Sequence, residues 1–218
     1  MKNQREKENS YEEYQYRSIE PGDILYGPQL AGSVIQQIAK LDGIERICDL
    51  GCGNGYLAER LGLLGYSVIG VDASESGIAI ANSRSCGNIG FLCNMFDSVL
   101  IEKLKDREVD LVTSLDVIEH LYHPSDILNV AHSVLKTGGR LILTTPYHGY
   151  LKNLALSILD KWDAHHGVHW DGGHIKFFSV QTLKQLVEDN GFVVQGFLFL
   201  GRAPWLWKSM ICLAKKAE

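Results

Sequence analysis

Apolar residues recur along this chain in two rhythms, and the alternation between them sets the architecture. Leu30, Val34, Ile35, Ile38 and Leu41 follow helical spacing. Beyond them, short unbroken apolar runs alternate with amphipathic stretches. The runs at 46–50 (RICDL), 67–72 (SVIGVD), 89–93 (IGFLC), 109–115 (VDLVTSL) and 140–146 (RLILTTP) read as strands. Helical patterns fall near 55–63, 75–84, 99–105 and 125–135. This rhythm predicts right-handed βαβ units and a mainly parallel sheet covered on both faces. Gly138-Gly139 supplies the turn into the fifth strand.

The rhythm breaks after Pro146. Residues 147–178 read as an insertion, with one helix over LKNLALSILDKW and then the histidine-rich run DAHHGVHWDGGHIKFFS. SVQTLKQLVEDNGF follows as a helix with Ser179 as its N-cap and Gly191 at its end. FVVQGFLFLG and SMICLAKK read as two more strands, the last antiparallel. Without internal repeats or a Pro- or Ser-rich linker, the expectation is a single α/β domain over 1–218. It has a doubly wound, seven-stranded sheet, an N-terminal cap segment at 1–27 and a substrate lid at 147–178.

Composition narrows the partners. With a net charge of −5 and no basic run beyond the terminal Lys215-Lys216, a phosphate-tracking nucleic-acid surface is disfavoured. Five cysteines without a CxxC pair predict reduced thiols, with Cys48 and Cys93 as small buried hydrophobes in their strands. No apolar run approaches the roughly 20 residues that span a bilayer, so no membrane insertion and a cytoplasmic location are expected. The sequence leaves the oligomeric state open.

The sharpest signal is DLGCGNGYL, Asp49 to Leu57. A strand ends in Asp49, Gly51, Gly53 and Gly55 follow at spacing two, and a helix begins. Glycines let a backbone turn tightly and approach a ligand with no Cβ in the way. A dinucleotide site needs GxGxxG, but the spacing here is GxGxG with Tyr56 next. The strand SVIGVD ends in Asp72, where a carboxylate can accept both hydroxyls of a ribose. A nucleoside ligand at the carboxyl edge of the sheet follows.

DLGCGNG, VIGVDAS, VTSLDVIEHL and LKTGGRLILTTP, in that order, resemble the successive motifs of class I S-adenosylmethionine-dependent methyltransferases. Within that superfamily, DVIEHL and the later HIKFF are similar to the ubiquinone-biosynthesis O-methyltransferase group. The resemblance implies S-adenosyl-L-methionine as cofactor, with its methionine end against Gly51, Cys52 and Gly53, and Gly55 in the same cofactor loop. Asp49 would order that loop and the amino group, Asp72 would bind ribose, and Ala73 would lie beside adenine. Met95 and Phe96, from NMFD (94–97), would wall the adenine ring, while an acidic contact stays open between Asn94 and Asp97. Leu115, ending the fourth strand, completes the implied cofactor set. Some relatives link an acidic-histidine motif like Asp116, Glu119 and His120 to a metal.

On a helix, Asp116, Glu119 and His120 would share a face. They could hold a divalent cation, supply a base, or merely stabilise the segment. In the histidine run, adjacent His165 and His166 should point apart, and no cysteine lies nearby, so a zinc site is disfavoured. The relatives' counterpart of HIKFF likewise begins with His and carries a Lys two residues on. His174 and Lys176 are therefore the leading catalytic candidates, followed by His148 at the end of the fifth strand. Trp162, Trp170 and the other histidines would line a lid whose hinge is Gly172-Gly173. Tyr11, Tyr14 and Tyr16 could fold over the cofactor or dock on the sheet. Trp205, Trp207 and Lys208 could touch a membrane or form a packed hairpin. The expected activity is methyl transfer to a small organic acceptor, at oxygen by family likeness. A nucleotide-binding oxidoreductase and a non-catalytic binding protein of the same fold are the alternatives.

Overall fold

The computed structural model describes residues 15–16, 26–166, 169, 172–201 and 203–217. Seven strands form one sheet in the order β3-β2-β1-β4-β5-β7-β6. They are β1 (Arg46–Leu50), β2 (Ser67–Asp72), β3 (Ile89–Cys93), β4 (Val109–Leu115), β5 (Leu135–Pro146), β6 (Phe192–Leu200) and β7 (Ser209–Lys216). The first five pair in parallel, and β7 runs antiparallel to both its neighbours. Helices α1 (Tyr26–Ile38), α2 (Tyr56–Leu63), α3 (Glu75–Ser83), α4 (Ser98–Leu104), α5 (Ser125–Val134) and α8 (Val180–Asp189) cover the sheet.

The strand order reverses between β1 and β4, and this places the chemistry. A doubly wound sheet opens a crevice at the carboxyl ends of its strands where the order switches. Two apolar layers support it. One centres on Leu30, Val34, Ile47, Leu61 and Leu111, the other on Leu50, Leu100, Ile127, Val112 and Leu183. At the opposite edge, Asp110 ties β1 to β4. Burial alone would raise its pKa, but Lys136 and the N–H groups of Arg46 and Glu45 bond to it and hold it below the usual carboxylate range.

Four expectations change. The fifth strand begins at Leu135 rather than 140, and Gly138 (φ 72°) sits in an irregular register against Val109 and Leu111. The insertion carries two helices, α6 (Tyr150–Ile158) and α7 (Trp162–His166), because Asp160 turns to φ 51° between them. Cys93 is exposed, because β3 is an edge strand; Cys48, on the central β1, is buried. Asp116 also adopts φ 51°, so it shares no helical face with Glu119 and His120, which lie on a short 3-10 turn, Ile118–His120. Tyr11, Tyr14 and Trp170 lie outside the described residues.

Candidate active site

The glycine loop folds at the carboxyl end of β1 by borrowing acceptors from β2. Gly51 and Cys52 both donate to the carbonyl of Val71, at 2.7 and 3.0 Å. Gly53 donates to Oδ2 of Asp72, whose Oδ1 accepts from Ser74 N–H, each at 2.8 Å. One carboxylate thus ties the loop to the start of α3. Gly51 (φ 79°) has a second reason to be glycine: a Cβ there would lie 2.2 Å from a Val117 methyl. Gly53 (φ 53°) is covered instead by Tyr16, whose hydroxyl would stand 2.5 Å from a Cβ. Gly55, also at positive φ, leads into α2.

Asp49 is buried beneath this loop and accepts a hydrogen bond from Thr113 Oγ1 at 2.8 Å. Burial, eased by Thr113 and aggravated by Asp72, pushes its pKa up to about 7. A buried carboxylate in that condition suits a cationic neighbour such as an ammonium group. Cys52, buried beside it, is held as a neutral thiol by the same burial and the two carboxylates.

Past β2, Ala73 is exposed and its carbonyl accepts from Cys93 Sγ at 3.6 Å. Met95 is half exposed and Phe96 packs partly into the core, so one is available to a ligand face and the other is shared. Asp97 is committed to capping α4, accepting from Leu100 N–H at 2.9 Å. The Asn94 side chain bonds to Met95 O, Asp97 and Lys103. Leu115 packs partly into the core at the end of β4.

The other half of the crevice begins two residues beyond Val117. Glu119 is fully buried, with Oε2 accepting from Thr145 Oγ1 at 3.0 Å and Oε1 without a hydrogen-bond partner among the described residues. Its backbone carbonyl accepts from Ile175 and Lys176 N–H groups at 2.9 and 3.0 Å. These bonds bring the HIKFF segment across the turn. Nε2 of His174 stands 3.9 Å from Glu119 Oε1, and the His120 ring lies edge-on to it at 4.8 Å. Nδ1 of His120 is 3.2 Å from the Gly173 carbonyl. Glu119, His120 and His174 each present one ligand atom, all within 4.8 Å of one another. Burial, and then Asp116, raises the Glu119 pKa well above its usual value. Burial lowers His174 to about 4, assisted by His120, His166 and Lys152.

Asp116 lies at the mouth of β4, its N–H donating to Thr144 O and Oγ1 and its Oδ1 accepting from Thr144 Oγ1 at 2.7 Å. Burial raises its pKa to about 6, against the pull of Thr144 and Lys208. His148, leaving β5, is 6% exposed and donates its N–H to Phe178 O. Its ring meets both His165 and His166, at 6.2 and 5.4 Å, so these two converge on one neighbour instead of pointing apart. His169 is exposed. Sequence reasoning missed Lys152, buried on α6 with Nζ donating to Tyr147 O at 2.7 Å. A signal existed, since Lys152 is four residues before buried Leu156 and shares its face.

A mixed seven-stranded sheet with this order, a glycine loop after β1 and an acid ending β2 defines a class I methyltransferase fold. Residues 25–195 match the family model described as a methyltransferase domain. The chain belongs to that family, and it is a methyltransferase. The ubiquinone biosynthesis O-methyltransferase of Roseobacter denitrificans is 30% identical over 192 residues, covering 83% of this chain and 74% of that one. The mitochondrial ubiquinone biosynthesis O-methyltransferase of Mus musculus is 32% identical over 181 residues. That match covers 74% of this chain but 46% of the mouse protein, so the chain spans about half its length. The structure of magnesium protoporphyrin IX methyltransferase from Synechocystis PCC 6803 with bound S-adenosylhomocysteine superposes with a TM-score of 0.68. It is 23% identical, and the match covers 89% of this chain and 85% of that one. Among the described residues, no helix is long and apolar enough to cross a membrane.

Proposed function

We propose that this chain transfers a methyl group from S-adenosylmethionine to an oxygen of a small organic acceptor, with His174 receiving the acceptor's proton. When bound, the cofactor supplies an electrophilic methyl carbon on a sulfonium. The residues present fit it. The Gly51–Gly53 loop turns at positive φ at the carboxyl end of β1 beneath Tyr16, Asp49 is a buried carboxylate suited to an amino group, and Asp72 ends β2 where a ribose would lie. Oxygen as the acceptor atom, and a small acceptor, rest on the named activity of the relatives.

One observation carries the catalytic assignment: Glu119 and His174 face each other two residues beyond Val117, whose side chain lies on Gly51. The glycine loop and the pair are therefore neighbours, with Val117 between them. Transfer from a sulfonium is an in-line displacement, so the protein's work is to align two reactants and remove one proton. His174 is neutral at neutral pH and can accept that proton at Nε2, while the Glu119 carboxylate orients and stabilises the imidazolium. Glu119 also fixes the segment through Ile175 and Lys176, so Lys176 is a secondary candidate, with His148 deeper in the lid. The insertion 147–178 serves as the acceptor lid.

A second reading has a specific basis. The partnerless Oε1 of Glu119 and two imidazoles suit a divalent cation of mixed N/O preference, held by Glu119, His120 and His174. Such an ion would acidify an acceptor hydroxyl. Turnover after exhaustive chelation decides between the two readings, and turnover is expected to survive. The primary test is calorimetry with S-adenosylmethionine and NAD. Micromolar-range binding of the first, roughly −8 kcal/mol, supports the proposal, and binding of NAD alone overturns it. Asp72→Ala should weaken cofactor binding on the order of tenfold to a hundredfold, since a charge-assisted partner is lost.

A further inference from the structure

Where β5 leaves the sheet, four buried polar atoms have no hydrogen-bond partner among the described residues: Nδ1 and Nε2 of His148, Nε2 of His166 and Oδ1 of Asn153. The His148 and His166 rings are stacked, 5.4 Å between centroids and 23° apart. A side-chain contact with Asn153, at the margin of a hydrogen bond, opposes the fall in the His148 pKa. Even if those two closed into a bond, one nitrogen of His148 and one of His166 would stay unmatched. A buried polar group left unpaired costs roughly 1–3 kcal/mol, so a cluster of them points to a ligand that completes it.

The chemistry of the set defines that ligand. Lys152 is 2% exposed beside it. Burial, with Lys152 next in effect, lowers both imidazoles, His148 to about 3, so both are neutral at physiological pH. A neutral imidazole offers one N–H donor and one lone pair, and Asn153 Oδ1 only accepts. Donors and acceptors are therefore mixed. A carboxylate or phosphate would satisfy the donors and face the lone pairs with like charge. A cation would satisfy the lone pairs and be repelled by Lys152. Hydroxyl groups both donate and accept, so they satisfy the whole set. Phe177 stands edge-on to both rings, at 5.1 and 4.8 Å, and adds an apolar wall beside the polar atoms. The cluster adjoins the catalytic pair, since His166 and Lys152 act electrostatically on His174.

We propose that the methyl acceptor is a ring with at least three hydroxyls, and that His148, His166 and Asn153 bind those other than the one methylated. This rests on the reading of Glu119 and His174 as the acceptor end of the site. The whole chain, saturated with methyl-labelled S-adenosylmethionine, is offered methyl α-D-glucopyranoside, myo-inositol, catechol and phenol, and labelled products are measured. His148→Phe keeps a ring and removes both nitrogens; Asn153→Leu is the second variant. The expected result is label on a polyol, with turnover cut at least tenfold in both variants. Donor affinity should be unchanged, and the melting temperature should stay close to the wild-type value, because at most the one His148–Asn153 contact is lost. Label on catechol or phenol without a polyol, no label on any polyol, or equal polyol turnover in both variants would overturn the proposal. So would a melting temperature several degrees lower in both variants, the mark of a structural cluster. Failure of the wild-type chain to bind the donor would overturn the methyltransferase site itself, and calorimetry before the assay separates that result from the others.

Discussion

Nε2 of His174 lies 3.9 Å from Oε1 of Glu119, and that oxygen has no hydrogen-bond partner among the described residues. Burial favours the neutral form of each group, moving the acid's pKa up and the imidazole's down to about 4. The pair then holds a proton as a unit, and its apparent pKa belongs to both groups. Only its deprotonated form can take a proton from the acceptor. Turnover should therefore rise with pH along an acid limb set mainly by the raised Glu119. In Glu119→Gln the ionisable partner is His174 alone, with a lowered pKa. The acid limb should move to lower pH while the plateau rate falls tenfold or more. His174→Ala should cut turnover roughly a hundredfold, the usual scale for a positioned base, with little change in cofactor affinity. pH–rate profiles of the three proteins test this, and an unmoved acid limb in Glu119→Gln would remove Glu119 from the proton path.

Asp49 links cofactor binding to pH by another route. Its pKa is raised to about 7 in the folded chain, against roughly 3.9 unfolded. The folded state thus binds more protons between those values. The group's stabilising contribution is full below about 3.9 and is lost as pH rises through 7. Asp49→Asn keeps an acceptor for Thr113 and never ionises, so its stability should vary less between pH 4 and 7. If the carboxylate meets the cofactor's ammonium, wild-type affinity should rise with pH, up to tenfold per unit, from about 5.5 to 7. Asp49→Asn should bind weakly and without that slope. Denaturation midpoints and calorimetry across this range give both readouts, and equal affinity in the two proteins would remove Asp49 from the cofactor site.

Much of this frame was legible because strands buried on both faces write themselves as unbroken apolar runs. RICDL, SVIGVD and VDLVTSL lie in the middle of the sheet, and their bounds agree with the structure. Cys93 misled because an edge strand uses the same residues without the same burial. Asp116 misled because positive φ in a non-glycine residue is imposed by Thr144 from the neighbouring strand, a contact that local spacing does not encode. The pairing of Glu119 with His174 was invisible for a similar reason. His174 was singled out by its segment and Glu119 by its motif, but their meeting depends on two backbone bonds from Ile175 and Lys176 to Glu119 O.

The cation reading carries its own test that does not depend on turnover. If Glu119, His120 and His174 hold a divalent ion, added Mn²⁺ or Zn²⁺ should raise the melting temperature of the wild-type chain by mass action. Glu119→Gln removes a ligand charge and should abolish the rise. A shift of equal size in both proteins would place the ion elsewhere. No shift in the wild type, with turnover intact after chelation, would leave the trio to proton transfer.

The last prediction turns on Gly77, the third residue of α3. Its N–H donates to the capping Ser74 at 3.0 Å, a bond that alanine would preserve. In a helix, glycine to alanine ordinarily stabilises by up to about 1 kcal/mol. Here a Cβ would stand 2.9 Å from Cδ2 of Tyr16 and 3.0 Å from the carbonyl of Gly53. Tyr16 is also anchored by its own N–H, which donates to Ser76 Oγ at 3.0 Å. The tyrosine ring thus lies in a notch between Gly53 and Gly77, on the loop proposed to hold the cofactor. Gly77→Ala should therefore lower the melting temperature rather than raise it, and should weaken S-adenosylmethionine binding by displacing the loop. Tyr16→Ala should weaken cofactor binding too, through loss of the cover over Gly53. Because both changes take the Tyr16 ring out of the same notch, one by displacing it and the other by removing it, their effects on affinity should be less than additive, and the double variant should recover part of the stability lost in Gly77→Ala. A Gly77→Ala protein that is more stable than wild type and binds cofactor equally well would mean that Tyr16 does not occupy the notch in solution.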